Sequence, residues 1–193
     1  MKKTFFLLIV LVGLGYNASS QVSGGIKGGL NFANIDSDID PDGKTGYHAG
    51  VYLKVGFAGI SLQPEVLYSV KGAEDFEVTY IDVPIVLQKN FAKVLNIHLG
   101  PQFSFLTKAE GITEIDLFTG DTTKGDIKDQ LKSSDLSILF GAGVNLPGGL
   151  SGGLRYIIGL SDVNDKYFDL GDGAPEIKNK TFQIYLGYRL FGN

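Results

Sequence analysis

Cysteine is absent from this chain, so neither a disulfide nor a thiolate metal site contributes to it. Histidine occurs twice, never as a spaced metal-binding pair, and no G-x-S-x-G stretch is present. With no catalytic constellation to build on, the expectation is a protein that is not an enzyme and uses no cofactor. A basic excess is missing too: 21 acidic residues face 17 basic ones, which argues against nucleic acid as a partner. Beyond one ten-residue apolar run near the N-terminus, no stretch approaches the roughly 20 residues of a membrane helix. Any insertion into a bilayer must therefore use strands.

The apolar run, Phe5 to Leu14, follows Lys2 and Lys3 and precedes the small residues Ala18 and Ser20. That order reads as a secretory signal peptide over residues 1–20, cut before Gln21, with one domain over 21–193. Without Lys2 and Lys3 the basic residues fall to 15 against 21 acidic, a formal charge of −6. What the chain has in abundance is glycine, 27 of 193 residues, about twice the usual share of about 7% and without a collagen-like period. Glycine inside strands marks bends and close packing, which tightly curved small barrels require.

The clearest structural signal is Gly59 to Gly72, GISLQPEVLYSVKG. Ile60, Leu62, Pro64, Val66, Tyr68 and Val70 fall on one face, Ser61, Gln63, Glu65, Ser69 and Lys71 on the other, and Leu67 is out of place. Period-two alternation of this length, apolar on one side and charged on the other, suits a membrane strand that meets lipid on one face. Seven further segments repeat it. Their outward sets are Val22, Ile26, Leu30 and Phe32; Tyr47 to Val55; Ile81 to Leu87; Leu95 to Phe105; Leu136 to Val144; Leu154 to Leu160; and Phe182 to Leu190.

Connections alternate between long or polar and tight, the tight ones at Ala58-Gly59, at 90–93 and at Pro147-Gly148-Gly149. This predicts an all-β, eight-stranded antiparallel up-and-down transmembrane barrel with short periplasmic turns and longer external loops. Aromatic girdles are expected from Phe32, Tyr47, Tyr68, Phe105 and Phe182 on the loop side and Phe57, Phe91 and Tyr188 on the turn side. Thr107 to Ser133 is expected to be the longest external loop, holding at most a short helix at Ile127 and Leu131. Alternation also permits the inverted arrangement, a secreted lipocalin-like barrel with its apolar face inside around a small hydrophobic ligand.

Leu62-Gln63-Pro64-Glu65-Val66-Leu67-Tyr68-Ser69 with Lys71-Gly72 resembles the strand signature of the PorT-like outer-membrane β-barrel family typical of Bacteroidetes. Tyr80-Ile81-Asp82-Val83-Pro84, Gly100-Pro101-Gln102-Phe103 and Gly187-Tyr188-Arg189 resemble its later marks, so the likeness runs through residues 21–193. It implies an outer-membrane barrel and says little about activity. Members commonly stop at an aromatic residue, whereas Phe191 here is followed by Gly192 and Asn193. The resemblance thus implies that Tyr188 and Phe191 serve recognition by the barrel-assembly machinery.

Two groups of polar residues are candidate sites. Asp38-Ile39-Asp40-Pro41-Asp42-Gly43 opens like a calcium loop, yet the twelfth position from Asp38 is Ala49, not an acid. Asp38, Asp40 and Asp42 therefore read as a solvated acidic loop with loose affinity for divalent ions. The second group is the inward face: Lys27, His48, Lys54, Glu65, Lys71, Asp82, His98, Asp135, Arg155 and Arg189. An eight-stranded barrel has room inside for side chains and little else, so these charges are expected to pair into a closed polar lumen. The function expected is that of a monomer embedded in outer-membrane lipid, acting through external loops in envelope structure, adhesion or recognition. A small-solute porin is the alternative, although open channels go with about 16 or more strands.

Overall fold

The computed structural model describes residues 21–35, 45–73, 76–91, 94–115, 122–128, 133–160 and 179–192. The signal-peptide stretch and the aspartates of the first loop lie outside them. The described strands are β1 (Gln21–Ile35), β2 (Thr45–Phe57), β3 (Ile60–Ala73), β4 (Phe76–Phe91), β5 (Leu95–Ile115), β6 (Thr122–Asp126), β7 (Ser134–Asn145), β8 (Leu150–Gly159) and β9 (Asn179–Phe191). Eight of them close an antiparallel barrel in the order β4-β3-β2-β1-β9-β8-β7-β5, with β5 returning to pair β4. Closure leaves none of these eight with a free edge.

The alternating pattern sets the facing. Leu99, Leu186 and Val51 point outward with more than half their area exposed, while Glu65, Asp82 and Arg155 are buried inside. This corrects the lipocalin-like alternative, which needs the opposite facing: the lumen here is polar and the outer wall apolar. Leu67, out of step as an outward residue, is an inward one at 0% exposure, and Val86, Leu139 and Ile157 form a buried apolar cluster. Of the girdle residues, Phe32 and Phe182 pair across β1 and β9 with ring centroids 6.3 Å apart. Tyr47, Tyr68 and Phe105 are exposed towards the loop side, Phe91 and Tyr188 towards the turn side.

Local chemistry explains the tight turns. Ala58 and Gly59 both take positive φ, 51° and 79°, the backbone a two-residue hairpin needs to match strand twist. Pro147-Gly148-Gly149 makes a single 3-10 turn in which both glycines have φ near 80°, a conformation costly for any residue with a Cβ.

The stretch after residue 106 departs from expectation. Where a loop was expected, β5 continues to Ile115 for 21 residues and pairs with β6 from Glu110 outward, while Leu131 of the expected short helix lies outside the described residues. At about 3.3 Å per residue it is far longer than the 9 to 11 residues that cross a bilayer. The register of β4 on β5 slips where Thr79 faces Lys108 and Tyr80 faces Leu106, leaving Thr107 as a bulge whose hydroxyl donates to the Thr79 carbonyl at 2.9 Å. An extra residue inverts the alternation, so that Leu106 and Ala109 are both buried. Together with Val78 and Tyr80 they make a cluster on which Ile127 packs, held by its N–H to the Ala109 carbonyl at 3.0 Å.

Candidate functional site

The inward faces bring together residues far apart in sequence. Glu65 on β3 lies at the centre: Arg155 of β8 reaches it with Nη1 2.8 Å from Oε2 and Nη2 2.7 Å from Oε1, while Lys27 of β1 and Gln63 Nε2, at 2.7 Å, donate to Oε1. The fork of a guanidinium fits a carboxylate two-to-two, which is why arginine rather than lysine suits the long reach across the lumen. A buried carboxylate alone would be very costly, and here both oxygens accept, Oε1 from three donors and Oε2 from one.

Around this centre the neutral groups are placed in order. Arg155 Nε donates to His98 Nε2 at 3.2 Å, so that nitrogen is the acceptor and Nδ1 carries the proton, donated to Asn96 Oδ1 at 3.0 Å. The Tyr185 ring lies under both cations, 4.5 Å from Lys27 Nζ and 4.8 Å from the Arg155 guanidinium carbon. Glycine makes room for it. A Cβ on Gly143 or on Gly153 would stand 2.7 Å from the Tyr185 hydroxyl, and one on Gly141 would stand 2.7 Å from His98 Nε2. The high glycine content is thus in part the space that large inward side chains occupy.

His48 belongs to a separate neutral cluster. Asn31 Oδ1 accepts from His48 Nδ1 at 2.8 Å and Gln183 Nε2 at 2.9 Å, while Asn31 Nδ2 donates to Ser69 Oγ at 2.9 Å and to the Val70 carbonyl at 3.1 Å. Towards the loop side Lys71 Nζ sits 3.2 Å from Asp82 Oδ2, an ion-pair contact without hydrogen-bond alignment, and lies over the Tyr80 ring. Asp135 follows on the same face, since Asp82 is opposite Ser104 and Ser104 is opposite Asp135. Further out, the exposed Lys108 bonds Glu110 at 2.7 Å, and that hydrogen bond raises the lysine above its ordinary pKa.

Two residues depart from the expected pairing. Lys54 is half-buried and Arg189 exposed, and among the described residues neither has an acidic partner. Both line a cavity of about 580 Å³ that opens at the turn end of the barrel and ends on Lys27, His98 and Arg155. Inward facing was readable from alternation; which charges find one another was not, because Arg155 and Glu65 are 90 residues apart. The Thr107 bulge left no pattern in the sequence at all.

A family model described as outer membrane protein beta-barrel domain matches residues 16–165. The fold is similar to that of Neisserial surface protein A, with 11% identity over 86% of this chain and 97% of that one and a TM-score of 0.51. It also matches Ail, the attachment invasion locus protein of Yersinia pestis, solved with the heparin analogue sucrose octasulfate, at 14% identity over 90% and 100% of the two chains and a TM-score of 0.48. The outer membrane enzyme PagL matches at 12% identity over 88% and 99%, with a TM-score of 0.46. No curated protein sequence matches the chain.

Proposed function

This chain belongs to the outer membrane protein beta-barrel domain family, and we infer from its geometry that it is a closed barrel acting at the cell surface through the part that rises beyond the bilayer. The observation that carries this reading is the β5–β6 arm: β5 runs well past the apolar wall, and β6 pairs with β5 alone among the described strands. An arm with an edge strand offers backbone groups to a partner, the physical basis of recognition by strand addition. The filled lumen supports a binding or structural role in envelope organisation or adhesion over a porin, since the Glu65 cluster joins β1, β3 and β8 across the interior.

The same geometry supports a non-enzymatic reading: both histidines are buried in the lumen, each with a ring nitrogen bonded to an asparagine. The PorT-like marks in β3 and β4 support a narrower placement within the family, and the protein is read as a monomer whose partners are outer-membrane lipid and the assembly machinery. The test is deletion of residues 112–126. Cells carrying the shortened protein should keep a folded barrel, judged by heat-modifiable electrophoretic migration, and lose attachment to surfaces that wild-type cells bind. Unchanged attachment together with protein-dependent solute uptake would overturn the reading in favour of a porin.

A further inference from the structure

The cavity at the turn end is unusual in its charge. Four cationic side chains line it, Lys27, Lys54, Arg155 and Arg189, and among the described residues no aspartate or glutamate does. Glu65, buried beneath, is shared by Lys27 and Arg155, so one carboxylate serves two cations and the floor keeps a positive excess. At the mouth the register collects two more on one wall. Lys54 of β2 is opposite Ser23 of β1, and Arg189 of β9 is opposite Gly25 of the same strand. Arg189 leans on the β7–β8 turn, where a Cβ on Gly149 would stand 3.3 Å from its own Cβ. Like charges on one wall repel unless an anion lies between them, and a concave low-dielectric wall concentrates their field.

We propose that this turn-side cavity is a binding site for a small phosphorylated solute with a polyhydroxylated body, the chemical class of sugar phosphates. The phosphate would lie between Lys54 and Arg189, where guanidinium and ammonium donors give charge-assisted hydrogen bonds. About 580 Å³ exceeds what a phosphate fills. The remaining wall suits hydroxyl groups: Asn90, Asn145 and Gln88 form a linked amide rim, with Gln88 Nε2 and Asn145 Nδ2 both donating to Asn90 Oδ1 at 3.0 and 3.2 Å, which leaves the Asn90 amide hydrogens for a ligand. Since the floor is the Glu65 cluster, the site is a dead end, built for binding and not for passage.

The experiment uses the full barrel in zwitterionic nanodiscs and isothermal titration with glucose 6-phosphate, glucose and inorganic phosphate. Glucose 6-phosphate should bind at least about tenfold more tightly than either of the others, and less tightly as salt screens the mouth. Lys54→Gln with Arg189→Gln should weaken it at least about tenfold, whereas Lys71→Gln, at the loop end, should leave it unchanged. Equal binding of glucose, no binding of glucose 6-phosphate, or an undiminished affinity in the double variant would each overturn the proposal. The wild-type comparison of the three solutes decides the matter even if the double variant does not fold.

Discussion

Arg155 and Glu65 meet across the lumen as a two-pronged ion pair, 2.8 and 2.7 Å, buried on both sides and joined by Lys27. Removing the carboxylate leaves two cations facing each other without a counter-charge. Glu65→Ala should therefore cost roughly 3 to 5 kcal/mol, the usual penalty for breaking a buried pair. Urea titration in lipid vesicles measures it. The triple change Lys27→Met, Glu65→Leu, Arg155→Met should recover most of the loss, because it removes the charges together; a triple variant as weak as the single one would contradict this account.

The outer wall predicts a different sensitivity. Ile138 faces outward at 45% exposure, and its neighbour Ser137 is buried inside with Oγ 3.5 Å from Asp135 Oδ2. Ile138→Arg should cost roughly 2 to 4 kcal/mol near the bilayer midplane. Ser137→Arg, placed beside a carboxylate, should cost less in the same titration, and equal costs would contradict the facing.

Gly143 is predicted to be intolerant of even one methyl group. Its Cβ would stand 2.7 Å from the Tyr185 hydroxyl and 2.8 Å from the Gly152 carbonyl. Gly143→Ala should cost about 1 to 3 kcal/mol through overpacking. Adding Tyr185→Phe should return part of that, not all, because the carbonyl stays in place; the urea midpoints of the two variants give the comparison.

The β2–β3 turn offers a gain. Ala58 sits at φ 51°, a region that asparagine tolerates better than alanine, and Asn-Gly is the preferred pair for such a turn. Ala58→Asn should raise stability by up to about 1 kcal/mol, seen as a higher urea midpoint with an unchanged slope.

Conduction tests the filled lumen. The purified monomer in planar bilayers should show at most small, infrequent openings, and Arg155→Ala should increase them by removing the longest side chain that crosses the interior to Glu65. Large, steady channels from the wild-type protein would promote the porin alternative.

The two-sidedness of each strand and the number of strands around the barrel were legible in the order of residues alone. Side-chain direction alternates residue by residue, so Ile60, Leu62 and Val66 against Ser61, Gln63 and Glu65 declare their faces locally. Even Leu67 kept its place in that alternation, and its burial shows that a polar lumen accepts some apolar filling. Which inward charges meet depends on the closed barrel. Closure of the sheet and its register are properties of all eight strands at once, and they set Glu65 beside Arg155 and Lys27 while leaving Lys54 and Arg189 at the mouth with no acid beside them among the described residues. Tertiary structure also decided the fate of the stretch after Leu106. Its polar composition reads as loop, but strand pairing satisfies backbone groups whatever the side chains, and one bulged residue, Thr107, re-aimed the chain so that Ala109 and Ile127 pack together.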